Sequence, residues 1–558
     1  MAISTRQNYR KISEQPSRFL HVYHLLPSEG LAAQVPIFLI MKTTKRILAA
    51  AFLTSAAALC TYAHDFEAGG IYYNITGDSE VAVTYYGFGY ESTLPYSGDV
   101  VVPATVTYEG KQYTVTSIGQ RAFYECNDLT SVELPNTVTS IGENAFAFSS
   151  QLTSVKMSNQ LVSFGESAFA FCAMLETIQI PETVNKIGAY AFYDCSSLAS
   201  INIPNSATSI GEYAFSGCKL TSVTLPDGIT SIADGLLSGC PLSAIKIPAS
   251  VSSIGSSAFA YCPLTSIDIP KSVDYIGSGA FYYCEQLTSI ALPDGITLIE
   301  NDTFWGCTNL TSINIPESVQ SIGDFAFAET ALASISIPNS TTSIGENAFS
   351  SCRNLVSVTL PDGITSIADG LFSGCSNMVT INIPESVVNI GFQAFSGCGI
   401  SSIDIPAAVT SIGLRAFTEC PLKSAKVHNP TPDNITLEEE VFYNAPCNEA
   451  TLFVPKGSKA LYAAADQWKD FGEIVEYDDS AIDDITMTAD GGLTVRAAGD
   501  GIEISGTAGG EAIAVYGIDG AMLYSGTASE GVTLISPALS DNGFYMVKVG
   551  SRSVKFKL

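Results

Sequence analysis

The strongest constraint on this chain is an internal period. An apolar residue heading a short Gly, Ala and Phe motif recurs at Ile118, Ile141, Phe164, Ile187, Ile210, Ile232, Ile254, Ile276, Ile299, Ile322, Ile344, Ile367, Ile390 and Ile412, and the thirteen intervals between them are all 22 or 23 residues. One copy of that length cannot bury its own apolar side chains, so copies must stack into a rod that shares one continuous interior. The 558 residues therefore count rungs more than they count domains.

Each copy carries Leu-x-x-Val/Ile-x-Leu/Ile-Pro, as in Leu129, Val132, Leu134 and Pro135. The alternation predicts a half-buried strand, and proline closes it because it has no amide proton to donate. The Val138 to Ile141 stretch has the same alternation and predicts a second short strand, after which Gly142 permits a tight turn. Ala145 and Phe146 are expected in a short helical or 3₁₀ turn that closes the coil. The period falls among leucine-rich repeats and outside ankyrin, tetratricopeptide and propeller units. The predicted fold is mainly β: a leucine-rich-repeat solenoid with two parallel strands per rung and short helical turns, followed by a small C-terminal β-sandwich. A coarser duplication lies on top, with Pro226-Asp227-Gly228, Pro293-Asp294-Gly295 and Pro361-Asp362-Gly363 about three rungs apart, each followed by a variant turn such as Ile232-Ala233-Asp234-Gly235.

Outside the fourteen repeats of residues 116–427 the pattern changes. Residues 41–63 read as a secretory leader: Lys42, Lys45 and Arg46, an apolar run from Ile47 to Leu59, and a small-residue cleavage site ending at Ala63. The apolar run is too short to span a bilayer comfortably, so no transmembrane span is expected in the mature chain. Cys60 raises the lipoprotein alternative, against which Leu59 occupies a position that wants a small residue. Residues 1–40 read as an extension from a mis-set start. Residues 64–115, with strands at Ile71–Ile75, Val81–Tyr86 and Thr105–Ile118, predict an N-terminal β cap, since a solenoid end exposes raw strand edges. Residues 428–476 predict a degenerate repeat and a C-terminal cap, with an amphipathic helix over Lys456–Phe471 begun by Ser458 and burying Leu461, Tyr462 and Trp468. Residues 477–484 read as an acidic linker, in which Asp478, Asp479, Asp483 and Asp484 suit solvent better than calcium. Residues 485–558 carry short strands at sandwich spacing.

Composition narrows function. Acidic residues outnumber basic ones 55 to 26, a net charge of -29, which argues against any grip on nucleic-acid phosphates. Only His64 and His428 follow the leader, leaving little for histidine-centred catalysis, and His428 reads as a surface residue where the regular repeats end. Carboxylates such as Asp227, Asp294 and Asp362 stand in Asp-Gly turns, where they do ordinary turn chemistry. No Cys-x-x-Cys occurs, so zinc has no support, and no metal, cofactor or catalytic residue is predicted. Trp305 beside Phe304 interrupts the turn pattern, as a packing residue or an exposed contact.

Two columns of residues remain. Twelve repeats place cysteine eight residues after the register position: Cys126, Cys172, Cys195, Cys218, Cys240, Cys262, Cys284, Cys307, Cys352, Cys375, Cys398 and Cys420. An exported chain suggests disulfides. Ser149 and Thr330 in the other two repeats show that members can be lost singly, which favours a ladder of reduced, buried thiols. On the outward face of the long strands, the position before the central residue is a hydroxyl in thirteen of fourteen repeats, from Ser131 to Ser424. The position after varies, and its candidate binding residues are Glu133, Lys156, Gln179, Asn202, Lys246, Asp268, Asn314, Asn382, Asp404 and Lys426. A constant column beside a variable one describes either a readable strip on a scaffold or simple solubility.

The unit Leu-Thr-Ser-Val-x-Leu-Pro-x-x-Val-Thr-Ser-Ile-Gly-x-x-Ala-Phe-x-x-Cys resembles the BspA-like class of bacterial leucine-rich repeats over residues 116–427, and Gly70–Ile75 and Val454–Ser458 with Trp468 resemble its flanks. The resemblance implies a cell-surface, adhesin-like protein with extracellular protein or glycan partners, of the kind found in matrix and plasma glycoproteins. Residues 515–520, 543–549 and Lys555-Phe556 are similar to the type IX secretion sorting domain, which implies passage across an outer membrane and attachment to surface glycolipid once that domain is removed.

Overall fold

The computed structural model describes residues 64–86, 96–477, 487–489, 493–498, 501–517, 522–535, 544–550 and 552–557. Residues 41–63, read above as a leader, the residues before them and residues 478–484 of the expected linker lie outside these.

The rungs stack as parallel β-structure. Two-residue strands ending on the register positions pair in parallel, Ser140-Ile141 with Ser117-Ile118 on one side and Ser163-Phe164 on the other, and onward along the rod. The register residues are buried except Ile210 and Ile344, which are half-buried. Beneath the turns runs a stack of buried phenylalanine rings: Phe123–Phe146 at 4.8 Å, Phe146–Phe169 at 4.7 Å, and on to Phe417–Phe442 at 5.7 Å, each pair nearly parallel. Leu237 replaces one ring between Phe215 and Phe259. Burial of each such side chain contributes about 1.5–3 kcal/mol, and one interior serves every rung.

Three expectations need correction. The segment after the register residue is not helical. It is a run of β-turns: Gly142 O accepts from Ala145 N at 3.3 Å, and Phe146 O accepts from Ser149 N at 3.1 Å. Counted from the register residue, the third and seventh positions have positive φ in every rung from Ile118 to Leu437, and most are not glycine; Asn144 (54°), Phe148 (62°), Tyr261 (61°) and Glu329 (59°) are examples. They occupy the third place of turns that demand a left-handed residue. Helix is excluded because the turn amides bond the next rung instead: Asn144 N to Glu166 O at 2.8 Å, Phe146 N to Ala168 O at 2.7 Å, Phe148 N to Ala170 O at 2.8 Å.

The glycine after the register residue, in turn, has ordinary φ and is needed for space. A Cβ on Gly211 would stand 2.3 Å from Ala189 N, and one on Gly188 2.5 Å from the Gly165 carbonyl carbon. The amides there bond the preceding rung, Gly211 N to Ile187 O at 2.9 Å and Gly277 N to Ile254 O at 2.8 Å. Ala233, Glu300 and Ala368 take this position in the rungs after the Pro-Asp-Gly turns, and the short-strand ladder breaks at each, between Ile210 and Ile232, Ile276 and Ile299, and Ile344 and Ile367. In these rungs the next side chain caps the following one: Asp234 Oδ1 accepts from Ser256 N at 2.7 Å, Asn301 Oδ1 from Asp324 N at 2.8 Å, Asp369 Oδ1 from Phe392 N at 2.7 Å. Glu438, in the degenerate last rung, keeps the ladder bond at 3.0 Å and turns its carboxylate back onto Leu414 N.

Long strands, the third correction, do not form in every rung. They are present from Leu129–Glu133 through Ser200–Asn202, from Ser289–Ala291 through Ser357–Thr359, and again at Ser402–Ile405 and Ser424–Val427. At 222–224, 244–246 and 266–268 only a Lys246–Asp268 bridge is made. These three rungs are consecutive; their loop after cysteine is one residue shorter, Cys218-Lys219-Leu220 against Cys195-Ser196-Ser197-Leu198, but the equally short Cys398-Gly399-Ile400 and Cys420-Pro421-Leu422 precede long strands, so loop length does not account for the gap. A fourth gap lies at 380–382, and nothing in the structure explains any of the four.

The ends are capped. Strands Phe66–Ala68, Ile71–Gly77 and Glu80–Thr84 lead to the hairpin Thr105–Tyr108 and Lys111–Ile118, whose turn places Glu109 and Gly110 at φ 49° and 78°. Gly98–Val101 covers the first long strand. At the other end Thr451–Pro455 and Glu473–Tyr477 continue the sheet in parallel. The helix there is a single turn, Lys459–Tyr462; Ser458 donates to Pro430 O at 2.8 Å instead of capping it. Tyr462 and Trp468 are buried as expected, but Leu461 is exposed. The C-terminal strands form two four-stranded antiparallel sheets around their own small core, including Val495, Ile504, Val515 and Val547, with two strands, Met487–Ala489 and Met522–Thr527, that the sequence pattern did not mark.

Two substitutions check this account. Gly211→Ala is expected to destabilise by roughly 1–3 kcal/mol, because the new methyl must push two backbones apart; Glu329→Gly, at a left-handed turn position, is expected to stabilise by roughly 0.5–1 kcal/mol. Thermal melts read both, and a Gly211→Ala chain as stable as the parent contradicts the close-approach argument.

Candidate functional site

The outward face of the long strands is the surface the sequence singles out. Its side chains are placed by the period-two alternation of each strand, which sends Val132 inward and Ser131 and Glu133 outward. The hydroxyl column is exposed from Ser154 to Ser402, Ala244 included, and half-buried at its ends, Ser131 and Ser424. Ser131 and Thr130 donate to Asp99 Oδ1 at 2.6 and 2.8 Å, and these bonds hold the Asp99 carboxyl below its usual range.

Of the variable column, Glu133, Lys156, Gln179, Asn202, Lys246, Asp268, Asn314, Asn382 and Asp404 are exposed and Lys426 is half-buried. Register brings several together. Glu133 faces Lys156 across the ladder and forms an ion pair with it; Gln179 faces Asn202; Lys246 faces Asp268; Asp404 faces Lys426. Asn314 lies opposite Ala291, and Asn382 stands where no strand is formed. Opposite charges thus neutralise one another between rungs, and exposed pairs of this kind contribute little stability.

His428 is half-buried instead of lying freely on the surface: Nε2 meets Asp404 Oδ1 at 2.6 Å, Nδ1 lies 3.2 Å from the Tyr477 hydroxyl, and Lys426 Nζ stands 4.4 Å from the Tyr477 ring centre. This polar knot ties the last regular rungs to the final cap strand. An open cleft between the degenerate last rung and the cap segment after it is lined by Glu438, Glu439, Glu440, Asp466 and Asp470. Among the described residues no group of three or more His, Cys, Asp or Glu side chains is arranged to hold a metal ion, and no helix is long and apolar enough to cross a membrane.

The cysteine column points inward. All twelve members, and Cys447 in the degenerate rung, are buried and unbridged. Eleven thiols donate to the carbonyl at the phenylalanine position of the preceding rung, Cys172 Sγ to Phe146 O at 3.1 Å and Cys398 Sγ to Phe372 O at 3.0 Å among them. Ser149 Oγ does the same to Phe123 O at 2.6 Å, while Thr330 bonds Phe327 O of its own rung at 2.9 Å and lies 3.2 Å from Cys352 Sγ. The position therefore suits a small side chain with a donor, which gives the second lone pair of a buried carbonyl a partner beside the turn amide it already accepts, as Phe146 O does from Ser149 N. Sequence reasoning missed Cys447, ten residues after Leu437 and so off the eight-residue spacing. Burial pushes the Cys240, Cys307 and Cys420 thiols up to about 12 and Cys447 to about 11, which withholds the thiolate.

Stacked short parallel strands, inward apolar residues and a donor ladder define a leucine-rich-repeat solenoid. Residues 116–242, 230–356 and 342–464 match the family described as BspA type leucine rich repeat region, and the chain belongs to that family. Among solved structures, a leucine-rich repeat protein from Bacteroides ovatus is 28% identical, the match covering 67% of this chain and 99% of that one with a TM-score of 0.43. A leucine rich cell surface protein from Faecalibacterium prausnitzii is 29% identical over 65% and 94% of the two chains (TM-score 0.42), and the pneumococcal vaccine antigen PcpA is 17% identical over 74% and 98% (TM-score 0.44). No curated protein matches the chain.

The thiols from Cys126 to Cys447 are expected to resist N-ethylmaleimide in the folded chain at mildly alkaline pH and to label fully once it is unfolded. Mass spectrometry counts the adducts, and rapid labelling or any disulfide in the folded protein contradicts the ladder.

Proposed function

We propose that this chain is an exported, cell-surface protein that engages extended protein or glycan partners by many weak contacts along the outward face of its long strands. The observation that carries the reading is the pairing of a uniform, exposed hydroxyl column with a neighbouring column whose chemistry changes from rung to rung. A scaffold that holds its backbone constant while one row varies is suited to multivalent recognition, in which each contact is weak and the sum is not. Export rests on the leader over residues 41–63, and non-enzymatic action on carboxylates that stand in turns and self-neutralising pairs. Surface attachment through glycolipid, after loss of the C-terminal domain, belongs to the same reading and rests on the sorting-domain resemblance.

Two measurements test it. Saturable, competable solid-phase binding to one member of a panel of matrix glycoproteins and mucin is expected, weakened at least several-fold by combining Gln179→Ala, Asn202→Ala and Asn314→Ala; absence of binding across the panel leaves a surface spacer. Mass spectrometry of the mature surface form is expected to end near Ser480, and a form that retains Lys555-Phe556 overturns the attachment route.

A further inference from the structure

A second surface of the solenoid, the arc of turns between each short strand and the next long one, carries aromatic side chains that the core does not use. Tyr261, Tyr282, Tyr283, Trp305 and Phe325 come from four consecutive rungs and touch in sequence. Tyr261 meets Tyr282 edge-on at 5.4 Å and stacks with Tyr283 at 5.8 Å; Tyr282 meets Trp305 edge-on at 5.5 Å; Trp305 stacks on Phe325 at 4.8 Å. Tyr261 is 59% exposed and the other four are half-buried. Tyr261, Tyr283 and Phe325 occupy left-handed positions, a backbone conformation that costs about 1–2 kcal/mol for a bulky residue and that glycine takes freely in other rungs.

Charge on this arc is one-sided. The turn segments 254–263, 276–285, 299–308 and 322–331 contain Glu285, Glu300, Asp302, Asp324 and Glu329 and no Lys, Arg or His. Partial burial, with Asp324 close by, raises the Asp302 carboxyl above its usual range, so a cation beside it relieves an existing cost. The same arc shows what its rings accept. Near one end Arg121 places its guanidinium 5.3 Å from the Tyr124 ring centre, and near the other Arg415 stands 5.0 Å from that of Tyr443.

We propose that the aromatic arc from Tyr261 to Phe325 is a docking surface for an arginine-rich segment of a partner protein, whose guanidinium groups lie on exposed Tyr261 and the accessible parts of the half-buried rings beside it while the flanking carboxylates neutralise them. Planar guanidinium suits this surface better than ammonium because it stacks on ring faces and is more weakly hydrated. The arc is separate from the long-strand face, so this surface stands or falls independently of the binding proposed there.

The test is fluorescence anisotropy with the full chain, using a labelled Arg-Gly repeat peptide, a Lys-Gly peptide of equal charge and a neutral chitin oligomer, with Trp305 emission followed in parallel. The expected result is preferential binding of the arginine peptide with a change in Trp305 emission, weakened roughly tenfold in a Tyr261→Gly, Trp305→Ser chain. Both replacements suit the fold, since glycine relieves the left-handed strain and Ser216, Ser238 and Ser350 take the Trp305 position in other rungs. A Gln179→Ala, Asn202→Ala chain is expected to bind the peptide as the parent does. Unchanged affinity in the aromatic variant, equal affinity for the two cationic peptides, or binding of the chitin oligomer in place of the peptides overturns the proposal.

Discussion

Everything in this solenoid depends on how closely one rung's backbone can approach the next. Parallel strands sit about 4.8 Å apart, and at the turn after each register residue that distance leaves no room for a Cβ. Where glycine is present, its amide closes a bond to the preceding rung; at the interior positions where Ala233, Glu300 or Ala368 stands instead, the ladder is interrupted. The block duplication visible as recurring Pro-Asp-Gly turns thus also divides the short-strand ladder, while turn amides such as Tyr213 N to Asp234 O still bridge the breaks and Asp234, Asn301 and Asp369 supply side-chain oxygens to the following rung.

The same constraint accounts for the turn arc. Amides that bond the neighbouring rung cannot close helical bonds within their own, so the arc resolves into successive turns with two left-handed residues each. Holding tyrosine, phenylalanine, glutamate or asparagine in that conformation costs energy that the rung-to-rung bonds and the buried ring stack offset. The interior donor ladder follows the same spacing: carbonyls at phenylalanine positions such as Phe146 accept a turn amide of their own rung, and a cysteine or serine of the next rung adds a second, small donor.

The exterior is where rungs are free to differ, and it presents two unlike faces. The long-strand face is polar, hydroxyl-rich and locally neutralised by pairs such as Glu133 with Lys156. The central turn arc is aromatic and acidic. A rod of repeated units can carry faces of different chemistry because neither is asked to hold the core together.

The sequence by itself determined the fold class, the rung boundaries and the inward face, because a 22 to 23 residue period with apolar residues at fixed places has one economical way to hide them. It also marked the outward column and the inward cysteines as columns, since alternation along a strand is visible in one dimension. Three matters were decided only in the tertiary structure. The turn residues look like a helical turn in isolation, and only the neighbouring rung's carbonyls divert their amides. The glycine looks like a turn former, and only the adjacent backbone shows that it is a spacer. Aromatic residues scattered among the turns, Tyr261 to Phe325, look incidental until stacking brings each within about 6 Å of the next, because contact between rungs is a property of the pile and not of any single copy.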